Sequence, residues 1–176
     1  MRPTLIIITG HPGSGKTSIA KRLSDHYRIP FISKDALKER MFDALGSRDK
    51  GWSLKVSAAS HRIMDDMTSQ ILKSGSSVIV ESNFKADIDS DRFRRIIETY
   101  HVPCIQILCT AKGEILFERW TSRINEGERH EGHVEEVSLD QIREDLSLPY
   151  SPLTLPGKLI ELDTSNFAKL VLPDLN

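Results

Sequence analysis

The sequence predicts an α/β fold built on a parallel sheet, and three observations carry that expectation. Short apolar runs alternate with stretches of helical periodicity. Most of those runs are close to continuously apolar, as strands covered on both faces are. The first of them, Leu5-Ile6-Ile7-Ile8-Thr9, opens directly into the glycine-rich stretch Gly10-His11-Pro12-Gly13-Ser14-Gly15-Lys16-Thr17, and a helical pattern follows.

Strands are expected at 4–9, 30–33, 77–82, 103–110 and 158–163. The first helix runs from near Gly15 to about Tyr27, because Ile19, Leu23 and Tyr27 recur at i, i+4 and i+8. A second starts near Ser33 or Asp35 and ends near Leu45-Gly46, and Gly46 to Trp52 is expected as a loop. A third covers 53–73, with Val56, Ile63, Met67 and Ile71 as its apolar stripe and Gly75 as its stop. A fourth covers 88–100 on a stripe of Phe93, Ile96, Ile97 and Tyr100. A fifth covers 112–125, with Phe117, Trp120 and Ile124 facing inward. From Asn125 to Val137 the pattern breaks: Gly127, Gly132 and many charges make a plain surface loop or a mobile flap. Ser138-Leu139-Asp140-Gln141 fits a capping box and starts another helix. After Leu146 the segment 147–157 is proline-rich and irregular, and the last strand leads into a short helix that stops at Pro173.

The 176 residues suit one domain spanning 1–176, with a lid at about 119–137. Hydrophobic residues make up 39% and charged residues 28%, as in ordinary soluble globular proteins. A formal net charge of −1 gives no global attraction to nucleic acid, although a local basic cleft stays compatible with it. Cys104 and Cys109 share one apolar run. Five residues along a strand span roughly 16 Å, too far for a disulfide, so both are expected as buried thiols of a reducing compartment. No run is long enough for a membrane span or signal core, and the expected location is the cytoplasm.

The stretch 10–17 matches G-x-x-x-x-G-K-[ST] at every fixed position. A strand feeding a glycine-rich turn into a helix N-terminus aims several backbone N–H groups at one point, and the helix dipole adds positive charge there. His11, Pro12, Gly13, Ser14, Gly15, Lys16, Thr17 and Ser18 are therefore candidate nucleotide-binding residues. Lys16 is expected to reach the outer phosphates, and the Thr17 hydroxyl to bind Mg²⁺. At His11 the backbone is expected to matter more than the ring.

Phosphoryl transfer also needs a group that orients the attacking oxygen and positive charge over the transferred phosphoryl. In open parallel sheets, ligands sit outside the carboxyl ends of the strands. Asp35 follows the second strand there; it can accept a hydroxyl proton, hold a Mg²⁺-bound water, or only cap the next helix. Glu81 ends the third strand after three apolar residues; it can position Mg²⁺ water, act as the alternative base, or bind loop N–H groups. Asn83 suits either a substrate contact or a turn. Arg119 and Arg123 are four apart on the fifth helix and share a face, and Arg129 follows in the flap. Forked guanidinium donors suit polyphosphate oxygens, while Glu114, Glu118 and Glu128 offer the plainer explanation of a solvated, paired face. His130-x-x-His133 lacks the further ligands that zinc needs, so flap contacts are expected instead. Trp52 and Tyr100 are expected to pack in the core.

With these parts in view, the chain resembles the small P-loop kinases grouped with AAA-type ATPases, a set similar to polynucleotide kinase, zeta toxin, chloramphenicol phosphotransferase and gluconate kinase. The residues that carry the resemblance are 10–17, Ser33-Lys34-Asp35, Val80-Glu81-Ser82-Asn83-Phe84, Glu118-Arg119-Trp120-Thr121-Ser122-Arg123 and Glu128-Arg129-His130-Glu131-Gly132-His133. The resemblance implies a three-layer α/β/α P-loop fold, a five-stranded parallel sheet in order 2-3-1-4-5, and an arginine-bearing lid. It implies ATP·Mg²⁺ as donor, Asp35 as candidate base, and an adenine site near Asp163-Thr164-Ser165-Asn166. Lys34 stands where several sugar and shikimate kinases carry a second acid.

The leading expectation is an ATP-dependent kinase that phosphorylates a hydroxyl of a small molecule, with Lys16, Asp35, Glu81 and Arg123 as catalytic candidates. Metal candidates are Thr17 directly and Asp35 through water; nucleotide contacts extend to Arg119, Arg123, Arg129 and Thr164. Two other readings stand beside it: a 5′-hydroxyl kinase for nucleic acid, disfavoured for long polymers by the charge balance, and a non-catalytic ATP-binding switch. A guanine switch is excluded, since Ala111-Lys112-Gly113-Glu114 lacks the base-reading asparagine and aspartate. The sequence leaves monomer and homodimer both open.

Overall fold

The central strand β1 (Leu5–Gly10) is hydrogen-bonded in parallel to β3 (Val78–Glu81) on one side and β4 (Cys104–Thr110) on the other. The computed structural model describes residues 2–127, 130–132 and 137–175. β2 (Phe31–Ser33) pairs outside β3 and β5 (Lys158–Asp163) outside β4, all parallel, giving the order β2-β3-β1-β4-β5. This is the expected strand order. Among the described residues, no helix is long and apolar enough to cross a membrane.

Register decides where the chemistry sits. Ser33 is level with Glu81, Ile8 with Glu81, and Gly10 with Cys109, so the carboxyl ends of four strands converge on one edge. Alternation along β1 then divides the core. Leu5 and Ile7 face one layer with Met64, Leu72, Phe84 and Phe93; Ile6 and Ile8 face the other with Ile19, Ala20 and Leu23. The first layer is covered by α3 (Lys50–Lys73) and α4 (Ala86–Tyr100), the second by α1 (Lys16–Tyr27). α2 (Lys34–Leu45) leaves β2 directly. α5 (Gly113–Asn125) and α6 (Leu139–Ser147) pack together on a small core of their own, Leu116, Trp120, Ile142 and Leu146.

The serine half of the capping box forms, while the Gln141 side chain turns to Asp145 at 3.0 Å. Ser138 accepts from the Gln141 N–H at 3.2 Å and starts α6. Cys104 and Cys109 are free, buried thiols, and burial pushes both up to about 12.

Four details differ from the periodicity. α3 begins at Lys50, within the stretch expected as a loop, because Asp49 caps it by accepting from the Trp52 N–H at 2.8 Å. Its buried stripe is Val56, Ser60, Met64, Thr68 and Leu72, while Ile63 and Met67 are each 40% exposed. The two hydroxyls bond carbonyls one turn back, Ser60 to Val56 and Thr68 to Met64, so they enter the core already satisfied. On α5, Ile124 is 40% exposed, and the core shared with α6 is built instead on Leu116, Trp120, Ile142 and Leu146. The expected terminal helix is one 3₁₀ turn, Phe167–Lys169, held by the Asn166 side chain.

Candidate functional site

The loop between β1 and α1 turns on three glycines with positive φ: Gly10 at 144°, Gly13 at 78° and Gly15 at 76°. Space demands glycine as much as the dihedral does. A Cβ on Gly13 would stand 2.7 Å from the Leu116 carbonyl oxygen, and one on Gly15 only 2.0 Å from the Phe167 ring. The first turn of α1 begins at Lys16, and its N–H groups have no partner inside the helix.

Lys16 is 6% exposed, and its Nζ donates to the His11 carbonyl at 2.8 Å. Burial lowers its pKa, opposed first by the charge of Glu81. Glu81, 3% exposed, is raised by burial and pulled back by Lys16 and by hydrogen bonds from the Ser33 and Thr17 hydroxyls. The Thr17 Oγ1–Glu81 Oε2 distance is 3.1 Å. The partners of Glu81 are thus hydroxyls and an ammonium rather than the loop N–H groups considered from sequence.

Asp35 lies in the first turn of α2, but the cap is Ser33, whose oxygen accepts from the Ala36 N–H at 3.4 Å. Asp35 is left facing outward, its side chain half exposed, 3.2 Å from the Lys34 ammonium. Pro12, Gly13, Lys16, Thr17, Asp35, Glu81, Asn83 and Arg123 line one cleft of about 320 Å³, joined by Ser33, Lys34, Glu39 and Trp120. A second cleft of about 470 Å³ lies beyond Gly13 and is lined by Gly15, Ser18, Arg119, Ser122, Glu126 and Phe167; Thr17 and Arg123 border both.

Three sequence candidates are turned to supporting contacts. Arg119 donates to the carbonyls of Gly13, Thr164 and Ser165 and lies over the Phe167 ring, 4.9 Å from its centroid. The Thr164 hydroxyl is fully buried within 2.9 Å of both Ser14 O and Thr110 O, beneath the loop and in neither cleft. The His11 ring is turned to the Leu148 carbonyl at 2.8 Å and to the edge of Tyr150, so Nε2 carries the proton; burial lowers its pKa. Arg123 has no hydrogen bond or ion pair among the described residues. Arg129 and His133 lie outside those residues. His130 stacks on Phe42 and meets Asp43 at 3.2 Å, and among the described residues no three His, Cys, Asp or Glu side chains form a metal cluster. Trp52 and Tyr100 line neither cleft: Trp52 bonds the Gly46 carbonyl, and Tyr100 packs on the core.

Sequence reasoning missed Trp120 as a cleft wall, since its apolar spacing marked it as core. It also missed Lys34 and Phe167, the latter because nothing local announces that residue 167 will close over residue 15.

The donors fit a polyphosphate with magnesium. The Ser14 hydroxyl is buried in the loop with no hydrogen-bond partner among the described residues, and Thr17, Glu81 and Asp35 offer the hard oxygen donors that Mg²⁺ takes alongside phosphate and water.

Comparison with known proteins agrees with this architecture. A protein of Chloroflexus aurantiacus, provisionally named a kinase, is 40% identical with a TM-score of 0.91, over 98% of this chain and 94% of that one. A gluconokinase of Sinorhizobium meliloti shares the fold at 20% identity and a TM-score of 0.54, over 96% and 87% of the two chains. A sugar kinase of a Janibacter species does so at 18% and 0.53, over 93% and 86%. No curated protein matches the sequence. Residues 5–149 match the profile of the AAA domain family, and the chain belongs to that family, with the fold of its small P-loop kinases.

Proposed function

We propose that this protein is an ATP-dependent kinase that transfers the γ-phosphoryl group to an alcohol of a small-molecule acceptor. One observation carries the reading: a loop shaped for phosphates and a half-exposed carboxylate, Asp35, open into the same cleft. A pure nucleotide switch has no need of that second feature.

In this reading the N–H groups of 13–17 hold the phosphates, and Lys16 leaves the His11 carbonyl to bridge the outer pair. Thr17 would hold magnesium directly, with Asp35 or Glu81 holding it through water. A magnesium ion there would supply positive charge to offset that of the phosphate oxygens. Asp35 receives the acceptor hydroxyl. The acceptor oxygen forms a bond to the γ-phosphorus, the bond to the β-phosphate oxygen breaks, ADP leaves, and the hydroxyl proton passes to Asp35 or to water. Arg123 stands between the two clefts, where a guanidinium can follow the moving charge. The nucleoside occupies the cleft beside Arg119 and Phe167.

The direct test is acceptor-dependent ADP release across a metabolite library, with Lys16→Ala as the blank. ATP binding without release by any acceptor would return the switch reading to first place.

A further inference from the structure

Lys34 is in the wrong place for stability. It is the first residue of α2, where the partial positive charge of a helix N-terminus opposes a cation. It is also 9% exposed, although lysines are rarely buried without full pairing. Its one partner among the described residues is Asp35 at 3.2 Å, a carboxylate that is itself half in water. An ammonium has three protons to donate. Two of them have no acceptor among the described residues, on a side chain that lines the cleft of Lys16, Asp35 and Glu81. A cation that is desolvated, opposed by a dipole and incompletely bonded is explained by what it binds.

The neighbouring geometry narrows the chemistry. Because Lys34 and Asp35 are adjacent and in contact, any group held by the ammonium lies within a few ångströms of a hydroxyl held by the carboxylate. A lysine ammonium is a compact point charge, suited to a single anionic oxygen. A charge-assisted hydrogen bond is about twice as strong as one to a neutral hydroxyl.

We infer that Lys34 is a specificity-determining residue that takes an anionic oxygen, of a carboxylate or a phosphate ester, borne next to the hydroxyl that is phosphorylated. The inference rests on the kinase reading of this cleft and narrows it: the acceptor is a hydroxylated anion, not a neutral polyol. The transfer chemistry is unchanged, and Lys34 takes no part in the proton balance.

The test compares three sets of short compounds: hydroxycarboxylates, alditol phosphates and neutral alditols. Each is assayed with ATP and magnesium for ADP release, and separately with ADP and magnesium for binding by ligand-observed NMR. At least one anionic set is expected to exceed the neutral set by about tenfold or more in kcat/KM, and the better set identifies the anion. Lys34→Met is expected to raise KM for that set by roughly 10- to 100-fold with kcat little changed, the loss expected for a charged hydrogen bond. Neutral alditols should respond little to that substitution, and Lys34→Arg should restore part of the affinity. ATP affinity and the thermal midpoint of each variant show that the fold is retained.

Neutral alditols serving as well as the anions would overturn the inference while leaving the kinase reading intact. So would a Lys34→Met enzyme that keeps the preference, or binding by none of the three sets. Lys34-dependent binding of an anionic set with no ADP release would sustain the inference and remove the kinase reading.

Discussion

The Thr17 hydroxyl donates to Glu81 across 3.1 Å, joining the start of α1 to the end of β3. Glu81 is thereby held beside Lys16 in a pocket where burial works against both charges, and each charge opposes that effect in the other. Such a carboxylate is placed to orient a magnesium-bound water.

Glu81→Gln keeps the shape and one acceptor oxygen but removes the charge. Loss of a partner behind a metal ligand commonly lowers metal affinity by about 10- to 100-fold. Calorimetry of ATP with and without magnesium should show the magnesium-dependent gain falling by roughly that range, with metal-free binding less affected. An undiminished gain would separate Glu81 from the metal.

The loop glycines allow a controlled comparison. Gly13 and Gly46 have nearly the same φ, 78° and 80°, but a Cβ would meet the Leu116 carbonyl oxygen at 2.7 Å at the first and nothing within 4 Å at the second. Gly46, at φ 80° and ψ 154°, sits in a region essentially reserved for glycine, so Gly46→Ala should cost that backbone strain alone, about 1–3 kcal/mol. Gly13→Ala should cost about 1–3 kcal/mol more from crowding, and should also weaken ATP binding. Urea denaturation of the two variants measures the difference; equal losses would mean that the α5 contact yields freely.

The sheet was legible because its strands are nearly unbroken apolar runs and because one motif fixed which strand comes first and where it ends. The edge strand β5 is half polar and was legible chiefly from its position after a proline-rich segment. The face of α3 was not legible, since hydropathy counts Ser60 and Thr68 as polar while their own helix supplies their hydrogen bonds. In the site, Lys16, Thr17, Asp35 and Glu81 were readable from motif and strand-end position. The burial of Lys34 and the supporting roles of Thr164, His11 and Arg119 depend on contacts tens to more than a hundred residues apart, which no local pattern encodes.

His61 provides a pH prediction. Burial, then the charges of Arg92 and Lys34, push its pKa from 6.5 down to about 4. Its Nδ1 is buried without a hydrogen-bond partner among the described residues. Between those two values the unfolded chain holds a proton that the folded one refuses, so stability is full above about pH 6.5 and declines as pH falls toward 4. Denaturation of the wild type and of His61→Asn across this window should show a shallower decline in the variant, and the imidazole resonances should titrate near 4. Parallel declines would place the acid sensitivity in other groups.

Asp35→Asn isolates the acceptor step. Ser33 rather than Asp35 caps α2, so the helix keeps its start, and the amide oxygen still faces Lys34. Alanine would leave that buried ammonium with no partner among the described residues and confuse stability with catalysis. The asparagine variant should therefore bind metal-free ATP normally and unfold near the wild-type midpoint. It can orient a hydroxyl weakly but cannot take its proton. General-base contributions are typically about 10²- to 10⁴-fold, and acceptor-dependent turnover should fall within that range, with the larger losses at low pH, where hydroxide cannot substitute. Turnover at the wild-type rate would mean that the attacking oxygen is prepared elsewhere in the cleft, and Glu81 would be the next carboxylate to test.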